Sequence, residues 1–181
     1  MRYATHFIIF SLGLLLGAVF ITYFPLQKQQ ATSGTTAIES IFSPDAKGEI
    51  LAAIDSAKTS LDVEMYLFKY QTLADELVAA KGRGVKVRVL LEPNLSGGNP
   101  NLETMSYLRG HGIEARWSTP SRTNHAKFFI IDGKRVAVGS HNWSFSAMTK
   151  NREASVLVED ARTTAEFQQA FEQDWALATN N

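Results

Sequence analysis

Stretches typical of β-strands alternate with stretches typical of helices from residue 38 to residue 177, and this alternation constrains the fold more than any other feature. Residues 61–67 (LDVEMYL) alternate apolar and polar side chains with the period of two that a strand requires. Residues 73–80 show a helical pattern, which stops at Gly82, a residue type that commonly ends helices. A chain with this alternation folds by packing helices against a sheet.

A hairpin is predicted at Asp132-Gly133, because this dipeptide favours the tight turn that joins two antiparallel strands. The predicted strands are 38–42, 61–67, 85–91, 113–117, 126–131, 135–138 and 153–158. The predicted helices are 47–57, 73–80, 102–108 and 163–177. Strands that alternate with helices, together with a hairpin, indicate an α/β domain with a mixed β-sheet flanked by helices.

One N-terminal hydrophobic helix is predicted before this domain, because residues 7–24 carry no charge and are apolar on every helical face. Their 18 residues lie at the short end of the roughly 17–25 that span a bilayer. A cleaved signal peptide has a similar layout, but its apolar region usually has about 7–15 residues. The sequence therefore favours a transmembrane anchor over a signal peptide at 1–25, then a polar linker at 26–36 and one folded domain at 37–181.

The composition excludes several classes of protein and of site. The 181 residues are 45% hydrophobic and 20% charged, which excludes a wholly disordered chain. The absence of cysteine excludes disulfides, thiolate metal sites and a cysteine nucleophile. The net charge of +0 argues against a protein that coats nucleic acid through bulk charge. Residues 105–155, however, hold eight basic and three acidic residues, a local net charge of +5.

The segment NHAKFFIIDGKRVAVGSHNWS carries the pattern H-x-K-x4-D-x6-G-S-x-N. Its specified positions are His125, Lys127, Asp132, Gly139, Ser140 and Asn142. This pattern resembles the HKD motif of the phospholipase D superfamily, and the resemblance extends over residues 38–178. It implies the sandwich fold of that family and a single-motif phosphodiesterase similar to the small bacterial endonucleases of the group. It also implies a metal-independent route through a phosphohistidine, with no cofactor.

The residue types fit phosphodiester chemistry on their own terms. His125 and Lys127 lie two apart on a predicted strand, so their side chains leave the same face. A neutral imidazole could attack phosphorus while an ammonium neutralises phosphate oxygens. Ser140 and Asn142 follow the partner strand and offer hydroxyl and amide donors to the same oxygens. Glu153 is suited to fix an imidazole tautomer through the other ring nitrogen.

Other residues of the segment have simpler interpretations. Asp132 opens the turn, and the resemblance implies a structural role for it in support of the catalytic residues. Gly139 lets a loop pass close to the phosphate. His141 occupies a variable position of the motif and is expected to be exposed. Trp143 and Phe145 are predicted to lie in the core; the alternatives are that they stack on a base or lie against lipid.

The sequence has one copy of the motif, whereas the mechanism needs a nucleophile and a second group that protonates the leaving oxygen. His6 lies beside the predicted membrane segment, and His111 lies at a glycine-rich helix end. The resemblance implies that single-motif members pair as twofold dimers. We therefore expect a homodimer with a composite site, in which His125 of one protomer is the nucleophile and His125 of its partner is the general acid.

Three functions stay open from the sequence. The basic segment favours a nuclease that acts on DNA or RNA through backbone phosphates. The membrane segment 7–24 favours a phospholipase D that releases phospholipid head groups. The third function, from another class, is an inactive membrane-anchored module that binds phosphate or nucleic acid. The positive charges on the two sides of 7–24 give almost no asymmetry, but a short N-terminal tail commonly stays inside, which favours a domain on the periplasmic or extracellular side; the alternative is secretion after cleavage.

Overall fold

The computed structural model describes residues 36–95 and 97–180. Their strands are β1 (Ala37–Phe42), β2 (Ser60–Met65), β3 (Lys86–Leu91), β4 (Glu114–Trp117), β5 (Lys127–Ile131), β6 (Arg135–Gly139) and β7 (Ala154–Glu159). Their helices are α1 (Ala46–Asp55), α2 (Gln71–Gly82), α3 (Leu102–Gly110), α4 (Phe145–Thr149) and α5 (Ala161–Leu177). The predicted hydrophobic helix at 7–24 lies outside the described residues. Within them, no helix combines the length and the apolar character that a membrane crossing needs.

The seven strands form one mixed sheet in the order β1-β7-β6-β5-β2-β3-β4. Strands β2, β3 and β4 are parallel and are connected through α2 and α3, as parallel neighbours require. The pairs β1–β7, β7–β6, β6–β5 and β5–β2 are antiparallel. As a result β1, β2, β3, β4 and β6 all end at one edge of the sheet, where β5 and β7 begin. We call this the upper edge, and the opposite one the lower edge.

Helices cover both faces of the sheet. Helices α1, α2 and α3 pack against one another and cover one face, whereas α5 packs against β5, β6 and β7 on the other. Strand β2 alternates apolar and polar side chains although all its residues after Ser60 are buried. Its apolar residues join the core beneath α1 to α3. Asp62 points to the other side, where it pairs with Arg88 at 2.7 Å, and Arg88 also pairs with Glu172 of α5.

The predicted α/β class and mixed sheet are confirmed, and the predicted strands and longer helices lie within a few residues of the observed ones. The predicted hairpin is also confirmed, with Asp132 and Gly133 at φ angles of 55° and 61°. Helix α4 was not predicted. It has five residues and begins after Ser144, whose hydroxyl accepts a hydrogen bond from the backbone N–H of Ala147.

Asp132 lies at the lower edge, at the far end of β5 from Lys127. Its carboxylate accepts hydrogen bonds from the backbone N–H groups of Lys58, Thr59 and Ser60 at 2.7–3.1 Å, and from the hydroxyl of Thr59 at 2.9 Å. Burial opposes the charged form, but these donors lower the pKa of Asp132 to about 2. The carboxylate therefore ties the β5–β6 turn to the segment that leads into β2.

Gly139, the last residue of β6, lies in very close contact with β7. A Cβ atom at this position would lie 2.2 Å from the hydroxyl oxygen of Ser155 and 2.4 Å from the carbonyl oxygen of Ala154. These distances are far below van der Waals contact, so the approach of β7 alone requires glycine here. Gly139 thus allows β6 to run close to β7 as far as the upper edge, where Ser140 follows.

Replacement of Gly139 is expected to disturb this edge. Gly139→Ala should lower the free energy of unfolding by about 1–3 kcal/mol, because the new methyl group forces β6 and β7 apart. Gly48→Ala is the matched control: it places the same methyl group on α1, where nothing lies within 4 Å, and should be stabilising by about 0.5–1 kcal/mol. Urea unfolding followed by tryptophan fluorescence measures both, and equal effects would contradict the argument.

His141 is buried, so the expectation that it is exposed is wrong. Its side chain is 3% exposed and lies between β1, β7 and α4. Its Nε2 lies 2.9 Å from the hydroxyl oxygen of Ser43, and that hydroxyl donates to the carbonyl of Ala147. The Nε2–H therefore donates to Ser43, and the hydroxyl of Ser155 donates to Nδ1 at 2.7 Å. Burial lowers the pKa of His141, although Glu153 opposes the shift, and the imidazole is held neutral.

A buried neutral histidine makes stability depend on pH. Since the pKa of His141 is lower in the folded than in the unfolded chain, the unfolded chain takes up the proton first as the pH falls below about 6.5. The contribution of His141 to the free energy of unfolding should therefore shrink between pH 7.5 and pH 5, and the difference in this free energy between wild type and His141→Gln should narrow over the same range. Urea titrations at several pH values measure the two slopes; parallel slopes would show that His141 titrates alike in both states.

Candidate active site

Five of the six residues assigned to the site from the sequence meet at the upper edge, and the sixth, Asp132, lies at the lower edge. His125 directly precedes β5, and Lys127 is its first residue. Ser140 and Asn142 follow β6, and Glu153 directly precedes β7. Because antiparallel β5, β6 and β7 are neighbours in the sheet, these chain ends lie side by side.

The side chain of Lys127 is held against the imidazole of His125. Its Nζ lies 3.2 Å from Nδ1 and 3.4 Å from Nε2, and it donates to the backbone carbonyl of His125 at 2.8 Å. Tyr66 supports both, since its ring centroid lies 4.3 Å from that of His125 and 5.1 Å from Nζ. Burial lowers the pKa of Lys127, and the negative charge of Glu153 opposes this shift. An ammonium thus lies beside an exposed imidazole that can receive a phosphate.

Glu153 is the centre of a second group of polar side chains. Its carboxylate accepts from the hydroxyl of Ser140 at 2.5 Å and from the amide of Asn151 at 3.0 Å. The N–H of Ala154 donates in turn to the Ser140 oxygen at 3.1 Å. Burial favours the neutral acid, but these donors lower the pKa of Glu153, which is therefore anionic. Among the described residues no hydrogen bond joins Glu153 to His125, so its predicted role in orienting the imidazole stays a prediction.

Asn142 supplies a further amide at this edge. Its carbonyl oxygen Oδ1 is buried and has no hydrogen-bond partner among the described residues. A buried polar atom without a partner is uncommon in proteins and often marks a place where a ligand or water binds. The sequence assigns Asn142 an amide donor to the phosphate oxygens, whereas the atom without a partner is an acceptor, so this role of Asn142 stays a prediction.

Two buried glutamates fix the segment that carries His125, and the sequence did not identify them. Asn124 donates from its side-chain amide to Glu64 at 2.8 Å and from its backbone N–H to Glu92 at 2.6 Å. Its own Oδ1 accepts from the N–H of Ala126 at 3.0 Å. The sequence feature that could have identified Glu64 and Glu92 is an acidic residue near the end of each of two otherwise buried strands.

The basic segment 105–155 does not form a single rim, contrary to the sequence interpretation. Lys134 and Arg135 lie in and after the β5–β6 turn, and Arg109 lies at the end of α3, all toward the lower edge. At the upper edge, four basic residues of the segment are joined by two from other parts of the chain. The basic residues there are Lys47, Lys69, Arg122, Lys127, Lys150 and Arg152. The upper edge is therefore basic through half of the predicted segment and two residues from outside it.

Two exposed aromatic side chains flank the site, each with a cation over its ring. Phe145 is 53% exposed and has Nζ of Lys150 at 5.3 Å from its ring centroid. Phe42 is 47% exposed and has the guanidinium of Arg152 at 5.0 Å. Trp143, by contrast, is fully buried. The predicted core position is thus confirmed for Trp143 and wrong for Phe145, because α4 turns that ring to solvent.

No metal site is evident in the described part of the chain, since it contains no group of three or more histidine, aspartate and glutamate side chains placed to hold an ion. The metal-independent reaction therefore stays a prediction. What the edge does offer is an imidazole, a cation and hydrogen-bond donors at neighbouring strand ends. These are the kinds of group that binding and attack on a phosphodiester require.

Comparisons with known proteins agree with this geometry. Residues 50–175 match the family model described as cardiolipin synthase, PLD-like domain. The chain is 31% identical over 130 residues to the mitochondrial cardiolipin hydrolase of Homo sapiens, covering 72% of this chain and 51% of that protein. It is 30% identical over 126 residues to a phospholipase D of Rickettsia prowazekii, covering 70% and 58%. The chain spans 59–61% of the length of three further cardiolipin hydrolases that it matches.

The fold is also that of solved structures. Nuc from Salmonella typhimurium, a phospholipase D family member, superposes with a TM-score of 0.74 at 31% identity, covering 79% of this chain and 96% of that one. NucT from Helicobacter pylori superposes with a TM-score of 0.70 at 20% identity, covering 80% and 98%, which shows likeness of fold. With five of the six predicted site residues at one edge of this fold and a matching family model over residues 50–175, the chain belongs to the phospholipase D superfamily.

Proposed function

We propose that this protein is a metal-independent phosphodiesterase that cleaves DNA or RNA internally. The observation that carries the proposal is the ammonium of Lys127 held 3.2 Å from the imidazole of His125 at an open, basic edge. A nitrogen of His125 attacks phosphorus, a P–N bond forms, and the bond to the leaving oxygen breaks. Water then attacks the phosphohistidine and restores the imidazole. Lys127 and the donors near Asn142 neutralise the phosphate oxygens in both steps.

The leaving oxygen needs a proton, and the other described histidines cannot supply it. His111 lies at the end of α3, toward the lower edge, where it contacts Tyr107. His141 is buried and bonded through both ring nitrogens. His125 of a second protomer, brought across a twofold axis, is the remaining candidate, first as general acid and then as the base that activates water. The proposed active form is therefore a homodimer with a composite site.

The upper edge favours a polyanion as the substrate. Its basic side chains come from five separate segments, so they can follow a phosphate backbone without reading a base sequence. The exposed ring of Phe145 offers a surface on which a base can stack. Similarity to Nuc over 96% of that chain is consistent with a small domain of this kind.

A phospholipase D is the second candidate, favoured by two observations. The relatives described above are named cardiolipin hydrolases and phospholipase D. The pairs Phe42–Arg152 and Phe145–Lys150 would also suit the interface of an anionic membrane. The predicted anchor at 7–24 would hold the domain close to that membrane. We propose an anchored protein with its domain on the periplasmic or extracellular side; secretion after cleavage is the alternative.

Activity of the full-length protein in the presence of EDTA tests the proposal. Cleavage of plasmid and oligonucleotide should persist with EDTA, and His125→Ala should reduce it at least about 10³-fold, because the nucleophile is lost. His111→Ala, which removes a histidine far from the site, is the control and should keep the activity. Hydrolysis of cardiolipin vesicles to phosphatidic acid and phosphatidylglycerol, without nucleic-acid cleavage, would favour the phospholipase. Binding of nucleic acid without either reaction would favour an inactive binding module.

Mixed dimers test the composite site. When wild type and His125→Ala are mixed in equal amounts and allowed to exchange, about half of the dimers are mixed and lack one of the two histidines. If both histidines are required, activity falls to about a quarter of that of wild type alone at the same total concentration, whereas independent protomers would keep about half. Analytical ultracentrifugation confirms the dimer, and a fully active monomer would contradict the proposal.

A further inference from the structure

A cavity of about 320 Å³ opens beside His125, on the side of the sheet that α5 covers. The segment between β4 and β5 forms one wall of this cavity, and Asp174 of α5 forms part of the other. Glu64 of β2 also lines it, although the residue is only 1% exposed. Two carboxyl groups that the mechanism above does not use therefore lie next to the proposed nucleophile.

The carboxyl groups of Glu64 and Asp174 contact each other. Oε1 of Glu64 accepts a hydrogen bond from the side-chain amide of Asn124 at 2.8 Å. Oε2 is shielded from solvent and receives no N–H or hydroxyl donor among the described residues, and it meets the carboxyl of Asp174 instead. Two ionised carboxylates are acceptors only, so a hydrogen bond between them requires a proton on one. Glu64 is the more deeply buried of the two, and the proton therefore lies on its Oε2.

These contacts belong to a closed ring of four side chains. Asn124 donates to Glu64, and Glu64 donates to Asp174. Asp174 in turn forms an ion pair with Arg122. Arg122 and Asn124 lie two residues apart in the segment that leads to His125, so the ring begins and ends on this segment. The ring thereby ties the segment to the central strand β2 and to helix α5 at the same time.

We propose that Glu64 and Asp174 share one proton, and that this proton closes the ring that positions His125 for its attack on phosphorus. The inference deepens the proposed phosphodiesterase function and rests on it, since His125 is the nucleophile of that reaction. Glu64 and Asp174 are positioning residues, because both act through the segment before β5 and neither takes part in bond cleavage.

Loss of the shared proton opens the ring. It leaves two negative charges in contact, and these repel each other more strongly in the protein than they would in water. Arg122 follows Asp174, because the two form an ion pair. Asn124 stays with Glu64 on the central strand. Opposite displacements then act on the residues directly before His125, and a displacement of about 1 Å in a reacting group can cost on the order of 100-fold in rate.

The ring opens as the pH rises through neutrality. Burial raises the pKa of Glu64 to about 7, the hydrogen bond from Asn124 opposes this shift, and the charge of Asp174 adds to it. The residues paired with Glu64 on β3 and β5 are apolar, namely Leu90 and Phe128. The charged and titratable groups that face it are Asp174 of α5, and Arg122 and His125 of the segment before β5.

Carbon NMR of the full-length protein in detergent tests the shared proton directly. The side-chain carboxyl carbon of Glu64, assigned by its absence in Glu64→Gln, should titrate with a midpoint near pH 7, and the side-chain amide of Asn124 should shift with it. In Asp174→Asn the midpoint should fall by about one pH unit or more, because the neighbouring negative charge is removed. A midpoint below about pH 5 in wild type, or one that is unchanged in Asp174→Asn, would overturn the proposal.

The matched control is Glu166→Gln, which removes an exposed carboxyl about two helical turns earlier on α5. Glu166 pairs with Arg162 and lies outside the ring. This variant should leave the midpoint of Glu64 in place, and its cleavage rate should keep the wild-type dependence on pH.

Single-turnover cleavage shows whether the proton positions His125. In Glu64→Gln the amide oxygen accepts from Asn124 and the NH₂ group donates to Asp174, so the ring is closed at every pH. The ratio of its cleavage rate to that of wild type should rise at least about threefold between pH 6 and pH 8.5. The rise reaches about 30-fold if the open ring supports no turnover.

Both proteins keep His125 and Lys127, so the titration of these two groups contributes equally to both rates and cancels in the ratio. Thermal melts at pH 6 and pH 8.5 show that the variant is folded at both. A ratio that does not change with pH would overturn the positioning role of Glu64.

The outcomes distinguish this inference from the proposed function. If the midpoint of Glu64 lies near pH 7 and depends on Asp174, but cardiolipin is hydrolysed in place of nucleic acid, the nuclease is overturned and the rate ratio is measured on cardiolipin vesicles. Cleavage of nucleic acid with a constant ratio would support the nuclease and overturn the positioning role. A protein that cleaves neither substrate would overturn both.

Discussion

Helices on both faces bury the central strands β2 and β5 of the sheet, and this constraint determines where chemistry can take place on them. Polar side chains in the middle of such a strand are buried and must find partners there, as Asp62 does with Arg88. Only the ends of these strands can combine exposure with a rigid support. The directions of the strands bring five ends and two beginnings to the upper edge. The nucleophile, the cation and the donors of the candidate site therefore come from neighbouring strands.

The parts of the fold that the sequence predicts are those that depend on local pattern. The alternation in 61–67 and the Asp132-Gly133 turn lead directly to β2 and to the β5–β6 hairpin. Helix α4 is not predicted because its five residues make too few turns to show the helical spacing of apolar side chains. The phosphate-binding set is predictable because the motif is one continuous segment. Its supports are not, since Tyr66 and Glu92 reach the site from strands that the sequence places far away.

The three described histidines show why tertiary surroundings decide a role that sequence cannot. His125 is exposed beside a lysine, His111 lies against a tyrosine at a helix end, and His141 is enclosed by two serine hydroxyls. His141 lies only one residue from Ser140, and its burial depends on how β1 and α4 close over β7. No local pattern encodes that closure. No local pattern shows, either, that the basic residues of 105–155 are divided between the upper and the lower edge, as they are where the chain turns between β5 and β6.

The position of Asp132 gives the spacing of the motif a physical meaning. Lys127 and Asp132 lie at opposite ends of β5, so the four residues between them measure the length of one strand. By holding the segment before β2, Asp132 fixes the register of β5 against β2 from the far end. Side chains alternate along a strand, so a slip of one residue would turn Lys127 and His125 together away from Tyr66, which supports both side chains. The spacing between Lys127 and Asp132 therefore matches the length of β5, and Asp132 fixes one end of this strand.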